Sequence, residues 1–367
     1  VALTVGVVGG GQLARMMIPA AQALGVDLKV LAETADSSAR LGATAIGDYT
    51  DLETVRKFAA EVDVLTFDHE HVPTDLLAAL ESEGVVVRPG SEALVFAQDK
   101  ALMRARLSQT SVPLPAWAVA QSVADVEEFL QSGAGEAIAK TPRGGYDGKG
   151  VRVIRTPGDV SDWLDAGEVL LEEKVNFSRE LAQLVARRPS GEVRVFPLVE
   201  TVQRDGVCAE VIAPAPDVSG DLTSRTASIA TTIATELNVT GVLAVELFQV
   251  ADGVVVNELA MRPHNSGHVF TEGALTSQFE QHLRAVMDWP LGEMSLVYPW
   301  SVMVNLFGDA GNERISAALE YSDRVRPHAY GKEPRPGRKA GHIVVSGDKL
   351  VDVVSIARGA ARAGEST

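Results

Sequence analysis

Five clusters of residues in this chain have the side-chain types and spacing to do chemistry. The first is Gly9-Gly10-Gly11-Gln12-Leu13-Ala14, a G-x-G-x-x-A turn between an apolar run and a helical pattern, with Glu33 further on. That is the fingerprint of a dinucleotide-binding turn, in which an acidic residue about 20 positions downstream takes a ribose hydroxyl. The same amides at a helix N-terminus would accept any phosphate, and a tight strand-to-helix turn without ligand uses the same glycines. All three readings stay open on these residues alone.

The second cluster is Lys140-Thr-Pro-Arg-Gly-Gly-Tyr-Asp-Gly-Lys-Gly150, with four glycines between positions 144 and 150 and a lysine just before them. It is not a Walker loop, because Lys149 is followed by Gly150 rather than Ser or Thr. A loop whose amides and lysine close over a polyphosphate is the functional reading, and a plain hairpin the bland one. The third cluster is Glu246 in LAVELF and Glu258 in VVNELA, with Asn257 beside it, on the two arms of an expected hairpin turning at ADG. Two carboxylates and a carboxamide are hard oxygen ligands, suited to a Mg²⁺ that also holds nucleotide phosphates. The alternative is a pair of solvated carboxylates on an edge hairpin.

The fourth cluster, Arg262-Pro-His-Asn-Ser-Gly-His268, follows that hairpin directly. Its two histidines have a helical metal spacing, but Pro263 and Gly267 argue against a helix and therefore against zinc. Arg, His, Asn and Ser donors together suit an anion. The fifth is Lys332-Glu-Pro-Arg-Pro-Gly-Arg338-Lys339, a basic loop in an acidic protein that suggests a small anion such as a phosphomonoester. Asp68-His69-Glu70-His71 looks metal-like but has no third ligand in sequence, and reads as structural or substrate-facing.

The elements that must position these residues follow from periodicity. Residues 3–88 alternate short β-branched runs (LTVGVV, DLKVL, DVLTF, VVVR) with helical stretches through Gln12–Leu24, Leu52–Val62 and Thr74–Glu83, so a parallel sheet of βαβ units is expected. A charged helical connector over 91–109 leads to VPLPAW, where prolines mark a boundary. The middle section is mostly antiparallel, with strands AIAK, VRVI, VLLEE, ELAQLVAR, VRVFPLVE and VCAEVI, a helix over about 221–237, and the carboxylate hairpin. A last section carries the basic loop between strands and a helix near Val351–Ala363. The apolar N-terminal run reads as a first strand rather than a signal peptide.

Composition narrows the function. The 367 residues, at roughly 150 per domain, give two or three domains. The formal net charge of −16 repels nucleic-acid backbones and anionic membrane surfaces. No apolar run reaches the about 20 residues needed to span a bilayer. The single cysteine, Cys208, sits in a strand-like neighbourhood as a small buried residue, and a reducing cytoplasm fits.

Taken in order, the glycine-rich first turn, GGYDGKG, LLEEKVNFSRE, ELFQ with VNELAMRPHNSGH, and GKEPRPGRKAGH resemble the 5-(carboxyamino)imidazole ribonucleotide synthetase family of ATP-grasp enzymes. The resemblance runs from Gly9 to about Val345, and HNSGH after NELA together with RPGRKAGH is far more specific than any glycine motif. It implies a fold of α/β and α+β parts: an N-terminal parallel-sheet, Rossmann-like pre-ATP-grasp domain over 1–98, a two-lobed ATP-grasp domain over 99–295 with its lid lobe near 113–180, and a small C-terminal domain over 296–367. A cytoplasmic homodimer is implied with it. The activity implied is ATP- and bicarbonate-dependent carboxylation of 5-aminoimidazole ribonucleotide, with release of ADP and phosphate through carboxyphosphate, in purine biosynthesis.

Within that resemblance Lys140 and the loop Gly145, Tyr146, Asp147, Gly148, Lys149, Gly150 and Val151 hold the phosphates. Glu172, Glu173, Lys174 and Val175 meet adenine mainly through backbone groups, Glu180 meets the ribose, and Gln203 and Asn257 complete the nucleotide set. Glu246 and Glu258 are the Mg²⁺ ligands, with Mn²⁺ able to substitute. Gln12, Tyr146, Asp147, Lys149, Arg262, His264, Asn265, Lys332 and Arg338 surround the aminoimidazole ribonucleotide and bicarbonate, so the first turn no longer means NAD. Two positions depart from the pattern: Phe96 stands where some members carry arginine, and Lys149 where many do. An ammonium cannot reproduce a bidentate guanidinium contact. The rivals are another ATP-grasp ligase of the formate-using transformylase or biotin-carboxylase kind, an NAD-dependent dehydrogenase built on Gly9–Ala14 and Glu33, and a non-catalytic nucleotide-binding regulator.

Overall fold

The computed structural model describes residues 3–133, 135–145 and 150–365. The first unit is a four-stranded parallel sheet in the order Ala43–Ile46, Asp27–Ala32, Thr4–Val8, Val64–Phe67. Val5, Val7, Val8, Leu65 and Phe67 are almost wholly buried because helices cover both faces, as parallel strands require. Two expectations are corrected here. Ala43–Ile46 is a strand that the apolar-run pattern missed, its outward residues being exposed. The expected VVVR strand reduces to one parallel bridge, Leu65 to Val87.

Helix Gln12–Leu24 starts at Gly11 and stops at Gly25, whose left-handed φ of 67° lets its amide reach the carbonyls of Ala21 and Gln22. Its buried side, Leu13, Ala14, Met17 and Ala21, meets Phe279, Leu283 and Val286 of helix Gln278–Val286, which locks the first sheet to the middle of the chain. The expected connector helix over 91–109 is two helices, Ser91–Gln98 and Lys100–Leu107. Asp99 breaks it by turning extended, φ −129° and ψ 105°, so that its carboxylate caps the Leu102 amide at 3.0 Å.

A four-stranded antiparallel sheet follows, in the order Trp117–Ala120, Val169–Glu173, Ala137–Lys140, Val151–Ile154. Helix Val123–Ser132 packs on it, started by a reciprocal capping box between Ser122 and Asp125. The remaining strands form one nine-stranded antiparallel sheet. Its path runs Gly253–Ala260, Gly241–Val250, Arg179–Arg187, Val199–Arg204, Val207–Ala213, Trp300–Gly308, Arg335–Gly347, Arg326–Ala329, with Val193–Val195 paired on the outer part of Arg179–Arg187. The expected single strand VRVFPLVE is split, since Phe196 to Leu198 lie between Val193–Val195 and Val199–Arg204. The C-terminal strands continue the middle sheet, because Val211 and Ile212 pair with Met303 and Val302. The basic loop is also half strand: Arg335 to His342 belong to the long strand Arg335–Gly347.

Candidate functional site

Strands Gly241–Val250 and Gly253–Ala260 are the hairpin, and Glu246 and Glu258 are direct cross-strand partners. Period-two alternation buries Val245, Leu247 and Leu259 on one side and leaves the two carboxylates on the other. The register shifts just after Glu246, a bulge at the position that re-aims these side chains. His264 Nε2 lies 3.1 Å from Glu246 Oε1, and Lys100 Nζ lies 3.3 Å from Glu258 Oε1. Burial works to raise the Glu246 carboxyl, but the His264 imidazole, with Lys339 and Lys140 beyond it, outweighs burial and holds it below its ordinary value. Opposed carboxylates beside the Asn257 carboxamide are a hard oxygen set that fits Mg²⁺ sharing its shell with phosphates. Among the described residues no group of three or more His, Cys, Asp and Glu side chains could hold a metal.

Next to these carboxylates lies a buried charge cluster. Lys140 Nζ is 2.7 Å from Glu172 Oε2 and donates to Asn257 Oδ1 at 3.2 Å. Arg104 Nε donates to the other Glu172 oxygen at 2.6 Å. Burial alone would raise Glu172, and the two cations outweigh it and hold the carboxyl below its usual range. Below the loop, Thr141 N donates to Gly150 O at 3.0 Å, Lys100 Nζ reaches Gly144 O at 3.2 Å, and Gly145 and Gly150 take φ of 77° and 72°. Val151 opens the next strand. Tyr146, Asp147, Gly148 and Lys149 lie outside the described residues.

Glu180 lies two positions along the neighbouring strand from Ala182, the partner of Glu246, so both carboxylates share a face. Burial, then the Glu246 charge, push its carboxyl up to about 7, against the hydrogen bond from Gln203 Nε2 at 3.1 Å. Glu173 is exposed and Val175 half-buried, while Lys174 points to Glu136 at 2.9 Å.

The third wall brings together residues far apart in sequence. Lys332 Nζ donates to Gln12 Oε1 at 2.5 Å. Asp68, which burial pushes above its ordinary value, accepts from the Ala14 amide at 2.7 Å and feels the charges of Arg262 and Lys332. Arg262 Nε donates to Glu70 Oε2 at 2.8 Å, and Glu70 Oε1 also takes the Met261 amide at 3.1 Å. Asn265 and Asn305 exchange carboxamide hydrogen bonds at 3.1 and 2.8 Å, and His264 Nδ1 meets Ser266 Oγ at 2.8 Å. Residues Asn265–Val269 form a short 3₁₀ turn, so the segment expected to be non-helical does coil. His268 is turned away from His264 into a buried stack on His342, with ring centroids 4.6 Å apart. Arg338 is half-buried with its guanidinium on Glu333 O at 3.4 Å.

The acidic residue of the first turn is engaged within the protein. Glu33, the residue a dinucleotide needs for its ribose, folds back to accept the Gly10 amide at 3.0 Å and sits 3.4 Å from His69 Nε2, a contact that chiefly holds the carboxylate at about 2. Gly9, at φ 103°, has His69 against it, where any Cβ would collide.

Two residues the sequence patterns passed over, Lys100 and Arg104, belong to this site, as do Glu70 and Lys339, which the sequence showed within the DHEH run and the basic loop without a role of their own. Lys100 and Arg104 carry no motif beyond helical spacing, and Glu70 was legible only as part of the DHEH run.

Three family models match the chain in succession: a ribonucleotide synthetase preATP-grasp domain over 2–98, an ATP-grasp domain over 105–279, and a phosphoribosylaminoimidazole carboxylase C-terminal domain over 301–355. The N5-carboxyaminoimidazole ribonucleotide synthase of Mycobacterium tuberculosis is 48% identical over 367 residues, covering 96% of this chain and 86% of that protein. The solved N5-carboxyaminoimidazole ribonucleotide synthetase of Thermus thermophilus superposes with a TM-score of 0.91 at 34% identity, covering 99% of each chain. An Aspergillus clavatus N5-carboxyaminoimidazole synthase, solved in complex with ADP and 5-aminoimidazole ribonucleotide, gives 0.87 at 29% identity over 98% of this chain and 97% of that one.

Proposed function

The chain belongs to the N5-carboxyaminoimidazole ribonucleotide synthase family, and from that premise we propose that it is an ATP-dependent ligase that carboxylates the amine of 5-aminoimidazole ribonucleotide in purine biosynthesis. The observation that carries the proposal is a chain of close charges: Arg262, paired to Glu70, feels both Glu246 of the carboxylate pair and Asp68, and Asp68 in turn feels Lys332, which donates to Gln12. A nucleotide-phosphate site and a cationic site for a phosphorylated acceptor then share an edge.

Bicarbonate is a poor electrophile, and ATP supplies the activation. A bicarbonate oxygen takes the γ-phosphoryl group and ADP leaves, giving carboxyphosphate. The acceptor amine then bonds to the carboxyl carbon, phosphate departs, and the amine gives up a proton. Catalysis is positioning and charge neutralisation. Lys140 and the loop Gly145–Val151, including Tyr146, Asp147, Gly148, Lys149 and Gly150, hold the phosphates. The backbone of Glu172, Glu173, Lys174 and Val175 meets adenine, and Glu180 with Gln203 meets the ribose. Glu246 and Glu258, with Asn257 beside them, would hold Mg²⁺ or Mn²⁺, which supplies charge neutralisation at the phosphates. Gln12, Lys332 and Arg338 take the ribonucleotide phosphate side. Arg262, His264 and Asn265, with Tyr146, Asp147 and Lys149, face bicarbonate and the aminoimidazole.

On this reading the units divide at 1–98, 99–295 with its lid over 113–180, and 296–367, in a cytoplasmic homodimer. No helix among the described residues is long and apolar enough to cross a membrane. The test is ADP release from Mg-ATP and bicarbonate in a coupled assay. Release that depends on 5-aminoimidazole ribonucleotide supports the proposal, and release indifferent to it removes the acceptor.

A further inference from the structure

Arg104 is wholly buried, yet it lies in a helix outside both strands that carry the nucleotide site. Its guanidinium spends its donors on three different places. Nε goes to Glu172 Oε1 at 2.6 Å, NH1 to the Val256 carbonyl at 2.9 Å, and NH2 to the Asn257 carbonyl at 2.7 Å. Glu172 belongs to the small antiparallel sheet and is the ion-pair partner of Lys140. Val256 and Asn257 belong to the large sheet and immediately precede Glu258. One rigid fork therefore joins the strand beside the phosphate-binding lysine to the strand that carries Glu258.

Charge makes the connection more than mechanical. Glu172 is shared by two cations, and an isolated Glu172–Lys140 pair in this buried setting would hold the lysine in a closed contact. Arg104 takes one carboxylate oxygen for itself, leaving Lys140 with the second oxygen and with Asn257 Oδ1, and with a third proton to offer elsewhere. We infer that Arg104 is a positioning residue for nucleotide binding: it sets the distance between Lys140 and Glu258 and keeps Lys140 available to phosphate without touching the nucleotide itself. This rests on the ATP-grasp reading of the site and not on the identity of the acceptor.

Calorimetric titration with Mg-ADP tests it, because that measurement does not need turnover or acceptor. Arg104→Met, close in volume, is expected to weaken Mg-ADP binding by about tenfold, as loss of a charge-assisted bond network does. Arg104→Lys keeps the charge but cannot span three acceptors, and is expected to restore the melting midpoint while recovering only part of the affinity. In turnover, the KM for ATP rises in both variants while the KM for the ribonucleotide stays within about twofold. If Arg104→Lys binds Mg-ADP as wild type does, or if Arg104→Met binds normally once its folded fraction is counted, Arg104 is structural only and the inference is overturned. Absence of ribonucleotide-dependent turnover in the wild type would instead strike the acceptor assignment and leave the titration result standing.

Discussion

Lys332 and Gln12 are 320 positions apart and their side chains meet at 2.5 Å, so the first glycine-rich turn and the last basic segment form one wall. On the proposed reading that contact puts Lys332 on the acceptor side, while Lys339 of the same segment reaches electrostatically toward Glu246. Lys332→Met is expected to raise the KM for the ribonucleotide by about tenfold or more, the value of one charge-assisted hydrogen bond, with Mg-ADP affinity unchanged by calorimetry. An equal loss in nucleotide affinity would move Lys332 out of the acceptor wall.

The carboxylate pair predicts a metal phenotype. Glu258→Gln keeps the hydrogen-bonding shape and removes one anionic ligand, so ADP release should fall on the order of a hundredfold and need more Mg²⁺ to reach half its maximum. Titrating Mg²⁺ at fixed ATP checks this. A variant with the wild-type Mg²⁺ curve would show that Glu258 serves only Lys100.

Gly11 has room for no side chain. A Cβ there would run into the Asp68 carboxylate, which is held on the Ala14 amide at 2.7 Å. Gly11→Ala must push Asp68 off that amide and leave a buried acceptor unpaired, costing about 1–3 kcal/mol. Thermal unfolding should show the loss, accompanied by a higher KM for the ribonucleotide because Gln12 follows directly. An unshifted midpoint would mean that Asp68 has another place to go.

Sequence periodicity carried much of the architecture because alternating apolar runs need buried sheets. The parallel order of the first unit, the antiparallel middle and the carboxylate hairpin were all readable. What escaped was set by single residues answering to distant partners. Asp99 cuts a helix to cap the next one, and Ala43–Ile46 has no apolar pattern because half of it faces outward. The candidate site was legible where motifs were dense, as at Glu246, Glu258 and Arg262. Glu70, Arg104 and Lys100 were not, since their importance lies in partners 44 to 192 positions away. Glu33 shows the reverse case: the dinucleotide fingerprint was present, and its carboxylate is turned onto the Gly10 amide. Nicotinamide fluorescence should accordingly be unchanged on titration with this protein.

His282 predicts the acid limb of stability. Its Nδ1 accepts the Val242 amide at 3.0 Å, so Nε2 carries the proton toward Thr66 Oγ1 at 2.7 Å, and burial lowers its pKa to about 3. The unfolded chain takes up a proton below its ordinary value near 6.5, which the folded chain refuses until about pH 3. Stability is therefore full above pH 6.5 and falls as pH drops through that window, with a slope approaching about 1.4 kcal/mol per pH unit for this one group. Denaturant unfolding of wild type and His282→Asn between pH 7 and 5 should show a shallower slope in the variant. Parallel curves would assign the acid limb elsewhere.

The central claim is that activated bicarbonate is delivered to the ribonucleotide amine. The most direct measurement is fixation of isotopically labelled bicarbonate, with Mg-ATP, in the presence and absence of 5-aminoimidazole ribonucleotide. Label entering an acid-labile product only when both ATP and the ribonucleotide are present, in step with ADP released, is the predicted result. ADP formed at the same rate with no label retained in any ribonucleotide product would contradict it.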